Sequence, residues 1–179
     1  MLGSILYAEN GPNDDPFSGN HLAVSFDTNE GHFVMRDLKT GAGTYVRIDN
    51  FMEIKSGYTV VFGSSAIVFK ISDVDKHSTV SFLFVSGPKE GEAFAFGQGK
   101  SITIGRSNKS DVCVDEKQLS RVQSTIKHID GKWLIRDGDG AKLTTNGTWL
   151  YLTSPLPITD GLFFRLGRVS YKAAVIQAV

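Results

Sequence analysis

Cysteine occurs once in the 179 residues, at Cys113. A lone cysteine excludes an intrachain disulfide and a zinc site built on cysteines alone, and it fits a reducing compartment. It lies between Val112 and Val114, where a buried structural thiol is expected. A charge of one sign is also missing, because nineteen Lys and Arg balance nineteen Asp and Glu. No broad basic face for nucleic acid or an anionic membrane is therefore expected, and any anion would need a local arginine cluster. Nowhere do eighteen apolar residues follow one another, and MLGSILYAENG has no basic segment leading into a long apolar run. A soluble cytoplasmic or nuclear protein is the expectation, and nothing distinguishes the two compartments.

Catalytic patterns are scarce too. His21, His32, His77 and His128 do not form a metal-ligand spacing, and Cys113 has no local catalytic partner. Asp137 and Asp139 flank a glycine as loop residues do, and Gly105-Arg106-Ser107 lacks the lysine and longer glycine pattern of a nucleotide loop. No enzyme, cofactor or metal is expected.

What the chain does have is glycine at nineteen positions, phenylalanine at twelve, and short β-branched runs. No window keeps a helical apolar spacing for twelve residues, so the chain is expected to be all-β. Short strands are expected at Ser4–Tyr7, His21–Phe26, His32–Asp37, Gly43–Ile48, Tyr58–Phe62 and Ala66–Ile71. Others are expected at Val80–Val85, Ala93–Phe96 and Ile102–Ile104, with Val112 and Val114 in a further short piece.

The stretch SITIGRSNKSDVCVDEKQLSRVQSTI, residues 101–126, sets alternating apolar runs on either side of a basic, polar segment. Arg106 follows the first run at a Gly-Arg turn, and Ser120-Arg121 precedes Val122, Ser124 and Ile126. A hydroxyl and two arginines at strand-to-loop junctions converge readily on one oxyanion, because a phosphate offers three acceptor oxygens and nearly two negative charges. Thr144-Thr145-Asn146-Gly147-Thr148 supplies more hydroxyls and an amide at an Asn-Gly turn.

In the order Gly105-Arg106, Ser120-Arg121, Trp133–Asp137, Thr144–Thr148, Asp160-Gly161 and Leu166-Gly167, this half resembles a forkhead-associated (FHA) domain. That family is a phosphothreonine-binding β-sandwich. The resemblance implies that Arg106, Ser120 and Arg121 face the phosphate, that Thr145 adds a hydroxyl, and that Asn146 holds the bound peptide's backbone. Gly105 and Gly147 would fix loop geometry. Gln123 stands where the family has a histidine that supports the loop, and an amide supplies both a donor and an acceptor there. DGDGAKL, residues 137–143, makes a longer link than the family's. The bland reading of these residues is that the arginines are solvated edge charges and that Ser120 and Thr145 only shape turns.

The first half repeats the second. Gly31-His-Phe-Val-Met-Arg-Asp37 resembles Gly131-Lys-Trp-Leu-Ile-Arg-Asp137, Gly43–Val46 resembles Gly147–Leu150, and Gly57 to Gly63 resembles Gly161 to Gly167. Two tandem FHA-like sandwiches are therefore expected: an incomplete one over 1–72, a linker at 73–79, and an FHA domain over 80–179. The first copy lacks the opening two or three strands. The other domain, the N-terminus itself or a second chain is expected to cover the sheet edges this leaves. Gly19, Asn20, Gly41 and Ala42 stand in place of its phosphate donors, so no phosphate binding is expected of it. The expected function is phosphothreonine-dependent recognition of a partner protein by the second copy, with the first as a packing or interaction module. The alternative is a scaffold subunit that works independently of phosphorylation by strand addition.

Overall fold

A computed structural model describes residues 21–167 and 169–175. All regular elements among these residues are strands, as the alternating runs and glycine turns require. They are, in chain order, β1 (Leu22–Asp27), β2 (His32–Asp37), β3 (Thr44–Arg47), β4 (Met52–Glu53), β5 (Thr59–Phe62), β6 (Ser65–Val74), β7 (His77–Ser86) and β8 (Ala93–Gly97). Then follow β9 (Ile102–Gly105), β10 (Val112–Cys113), β11 (Ser124–Ile129), β12 (Lys132–Asp137), β13 (Trp149–Tyr151), β14 (Leu156–Pro157), β15 (Phe163–Leu166) and β16 (Val169–Lys172). The strand expected at Ser4–Tyr7 lies outside the described residues, as do Ser18, Gly19 and Asn20.

The chain divides into two compact units, one of residues 48–150 and one of residues 1–47 with 151–179. This differs from the division expected at residues 73–79. Those residues are the tip of a continuous hairpin, in which β6 and β7 pair from Val74↔His77 through Ile67↔Phe84. Asp75 and Lys76 both carry positive φ, 46° and 69°, as a two-residue hairpin turn demands. A polar stretch that reads as a linker is thus a tight turn, and the boundaries 1–72 and 80–179 do not hold.

In the unit of 48–150, one sheet has the order β10-β9-β11-β12-β4, with β10 parallel to β9 and the other pairs antiparallel. Facing strands run β13-β5-β6-β7-β8. Strand alternation sends every second side chain inward. Phe62, Ile67, Phe69, Phe82, Phe84, Ile102, Ile104, Ile126 and Trp133 are all buried in one core. Cys113 is exposed, contrary to the buried thiol expected. Its neighbours Val112 and Val114 take the inward positions, so the pleat turns the thiol outward. Trp133 is 1% exposed, and its indole N–H donates to Ser78 Oγ at 2.8 Å.

The other unit contains the sheet β1-β2-β14 and the strands β3-β15-β16. Its hydrogen bonds repeat those of the first-described unit. Leu38 N–H donates to the His21 carbonyl and Gly138 N–H to the Gln123 carbonyl, both at 2.8 Å. Ile54 N–H bonds Trp133 O at 2.8 Å, and Ile158 N–H bonds Phe33 O at 2.7 Å. Gly57 bonds Phe69 as Gly161 bonds Ala173. Gly31 and Gly131 occupy equivalent hairpin positions with φ of 71° and 76°. In each case the strands after the repeated loop belong to the unit built on the other half of the chain, since β4–β6 lie within 48–150 and β14–β16 within 151–179.

This placement predicts the outcome of truncation. A fragment of residues 80–179 lacks Phe62, Ile67 and Phe69, each of whose burial contributes roughly 1.5–3 kcal/mol. It is expected to show no cooperative transition in scanning calorimetry, whereas residues 48–150 show one. A cooperative transition in the 80–179 fragment would restore the boundary read from the sequence.

Candidate functional site

The loops at one end of the 48–150 unit are fixed by backbone bonds before any side chain is considered. Arg106 N–H donates to Ser120 O at 3.0 Å, Ser107 N–H to Arg121 O at 3.2 Å, and Gln123 N–H to Ile104 O at 2.7 Å. Gly105 makes this closeness possible. A Cβ built there would stand 2.3 Å from the Arg121 carbonyl oxygen and 2.9 Å from Gln123 N. Ser110 Oγ also donates to Arg121 O, at 3.0 Å. The Gly-Arg turn and the Ser-Arg turn are therefore laced together, which brings Arg106 beside Ser120 and Arg121.

The loop after β12 is tied to them from below by Gln123, which is fully buried. Its Oε1 accepts the Ser120 N–H at 3.1 Å, while Nε2 donates to Thr144 Oγ1 at 2.9 Å and Gly147 O at 3.0 Å. Asp137, also fully buried, accepts from the hydroxyls of Thr144 and Thr148 at 2.7 Å each and from the Thr144 N–H. The Thr144 hydroxyl in turn accepts the Gly147 N–H at 3.1 Å. These bonds satisfy groups that would be costly to bury unpaired. Gly147 has φ 72°, the left-handed conformation that glycine adopts without penalty.

Above this network is a hollow of about 200 Å³ lined by Arg106, Ser120, Arg121, Val122, Gly138, Asp139, Lys142, Leu143 and Thr144. Three of the five residues predicted to contact a phosphopeptide line it. Thr145 and Asn146 do not: both are exposed, and Asn146 Nδ2 donates to the Gln118 carbonyl at 2.8 Å. The residue of that loop that reaches the lining is Thr144, whose hydroxyl is tied to Gln123, Asp137 and Gly147 in the buried network. Lys142 was missed by sequence reasoning. The signal was the long link DGDGAK, where Gly138 and Gly140 take φ of 70° and 105° and turn the chain back so that a third cation reaches the hollow. Asp139 lines the same hollow, with its carboxyl held below the ordinary range chiefly by the Ala141 N–H. It is therefore ionised at neutral pH.

Residues 102–167 match the family model of the FHA domain. The C-terminal part of the chain carries one FHA domain. FHA domains are non-catalytic adaptor modules that recognise phosphopeptides, and among the described residues no group of His, Cys, Asp and Glu is placed to hold a metal ion. An FHA domain-containing protein of Arabidopsis thaliana is 26% identical over 91 residues, which is 50% of this chain and 24% of that relative. The chain thus matches about a quarter of that relative's length. Within this structure the FHA match continues past residue 150, from the unit of 48–150 into strands β14 and β15 of the other unit. No helix among the described residues is long and apolar enough to cross a membrane.

Removing the buried tie tests its role. Gln123→Ala is expected to lower stability by about 1–3 kcal/mol, because the Ser120 amide and the Gly147 carbonyl lose their partner. Gln123→His, which keeps a donor and an acceptor, should recover most of that loss in chemical denaturation. Equal stability of Gln123→Ala and the parent would show that the tie is dispensable.

Proposed function

We propose that the FHA domain of this chain binds phosphothreonine in a partner protein, with the phosphate seated between Arg106, Ser120 and Arg121. The single observation that supports this most is the convergence of those three side chains on one open hollow, held by backbone bonds rather than by ion pairs that a ligand would have to break. None of Arg106, Arg121 and Lys142 takes part in the ion pairs found among the described residues, which join Lys89 to Glu92, Lys100 to Asp111 and Lys132 to Glu53. Guanidinium forks match phosphate oxygens in pairs. A hydroxyl at Ser120 supplies a neutral donor to a third oxygen. Gln123 performs the supporting task that falls to histidine elsewhere in the family, and does so without a titrating group. Asn146, exposed and tied to Gln118, is assigned to the backbone of the bound peptide.

Lys142 and Asp139 set the balance of charge at the phosphate. Lys142 adds a cation and Asp139 opposes the ligand, so the two act in contrary directions.

A second reading, a scaffold that works independently of phosphorylation, draws support from a different place: the apolar groove that Val24, Phe33, Met35 and Phe164 line among the described residues of the unit of 1–47 and 151–179. In that unit the added Cβ of an alanine at Gly41 would fall 1.7 Å from the His21 ring. The imidazole therefore occupies the space beside the loop that carries Thr145 and Asn146 in the other copy, and this unit is assigned no phosphate.

Calorimetric titration with a phosphothreonine peptide selected from a library tests the reading. Arg106→Ala is expected to weaken binding by at least about tenfold, in line with roughly 1.5–3 kcal/mol for a bond to a charged group, while leaving the thermal transition unchanged. Equal affinity of phosphorylated and unphosphorylated peptide would refute it. Lys142→Ala should weaken the same complex severalfold and Asp139→Asn should tighten it, each by up to about fivefold as befits exposed charges. A change in the same direction for both would place these residues outside the phosphate's field.

A further inference from the structure

The loop that carries Ser120 and Arg121 is held from several sides, and one of its supports comes from a distant part of the sequence within the same unit of 48–150. β5 and β6 are joined by the two-residue turn Gly63-Ser64, closed by the pair Phe62↔Ser65. Gly63, its first central residue, has φ 57°, a conformation that tight hairpins give to glycine. Such a turn closes through its outer residues and leaves the second central amide without a partner inside the turn. That amide belongs to Ser64, and it donates to Glu116 Oε1 at 2.7 Å. The buried Ser65 donates its hydroxyl to the other carboxylate oxygen, Oε2, at 3.3 Å.

The fit at this contact leaves no room for a side chain on Gly63. A Cβ built there would stand 2.2 Å from Glu116 Oε1 and 2.9 Å from Leu119 Cδ2. Phe62 before the turn and Leu119 in the loop are buried in the same core, so both partners are anchored. Glu116 also opens the turn that leads to the site. Its N–H bonds the Val114 carbonyl at 2.8 Å, and its own carbonyl accepts the Leu119 N–H at 3.0 Å. Ser120 comes next, and its carbonyl accepts the Arg106 N–H at 3.0 Å. A displacement of Glu116 therefore passes through one buried leucine to Ser120 and on to Arg106. Two other ties hold the same loop, from Asn146 to the Gln118 carbonyl and from the Ser120 N–H to Gln123. Glu116 is not among the residues that line the hollow.

We infer that Glu116 is a positioning residue of the phosphopeptide site, and that Gly63, Ser64 and Ser65 form the brace against which its carboxylate sets Ser120 and Arg121. Those three residues lie outside the 102–167 stretch that matches the FHA family. The matched stretch alone therefore omits the brace. A carboxylate suits the task, because it accepts two donors at once and its bonds are stronger than those of a neutral acceptor. The consequence for binding rests on the phosphate reading, whereas the bracing of the loop does not. Charge alone would act in the opposite sense, since a carboxylate near a phosphate repels it. Removing that charge would by itself tighten binding, so a weakened complex reports lost geometry.

Calorimetric titration of the full chain with a phosphothreonine peptide, paired with residue-resolved hydrogen exchange in the absence of peptide, tests the inference. Glu116→Ala is expected to weaken binding about three- to tenfold, the range for a change that acts through neighbouring groups. Glu116→Gln loses the same charge but keeps an acceptor for the Ser64 amide, and it should recover most of that loss. Gly63→Ala, whose added methyl displaces the carboxylate, should weaken binding as Glu116→Ala does, and the double variant no further. Without peptide, the Arg106 and Ser120 amides should exchange at least about threefold faster in Glu116→Ala than in the parent chain. Unchanged exchange at both amides would overturn the inference, as would unchanged or tighter peptide binding by Glu116→Ala. Equal weakening by Glu116→Ala and Glu116→Gln would overturn it in favour of a role for the charge. If the parent chain binds no phosphorylated peptide, the phosphate reading fails, and the exchange rates alone decide whether Glu116 braces the loop.

Discussion

The buried amide of Gln123 is the contact on which the rest of the site depends. It accepts from the Ser120 backbone and donates to Thr144 and the Gly147 carbonyl, so three segments distant in sequence meet at one side chain. Asp137 completes the arrangement by gathering the hydroxyls of Thr144 and Thr148. Without this sealed polar layer beneath them, the exposed side chains above would have no fixed relation to each other. An anion site built from flexible arginines owes its geometry to the rigid loops that carry them.

The second governing feature is the path of the chain. β6 runs into β7 through a two-residue turn, and such a turn obliges its strands to pair. The first half's last strands are thereby committed to the sheet of the second half, and β14–β16 lie in the unit built on the first. The interior of the FHA-bearing unit thus draws Phe62, Ile67 and Phe69 from before the hairpin and Phe82, Phe84 and Trp133 from after it.

Much of this was legible in advance. Alternating runs located most strands to within a residue or two, because period-two burial leaves a strong imprint. β4 and β14, with two residues each, left none, and β16 is too polar and short to announce itself. The repeat was visible in Gly31–Asp37 and Gly131–Asp137, but the crossing of strands was not, since sequence similarity marks which segments are alike and not which ones pair. That Arg106, Ser120 and Arg121 line one hollow could be anticipated because charge and hydroxyl at strand ends are conspicuous. Lys142 escaped because its position depends on the backbone of Gly138 and Gly140, and Cys113 was misplaced because which face of a two-residue strand is buried is decided by its neighbours.

The central claim is that the hollow above Gln123 reads phosphate. Its most direct test is nuclear magnetic resonance mapping with one peptide in its phosphothreonine and dephosphorylated forms. Shifts at the amides of Ser107, Arg121 and Thr144 that appear only with the phosphorylated form are the predicted result. Shifts that are the same for both forms, or that fall on β1, β2 and β16 instead, would contradict it.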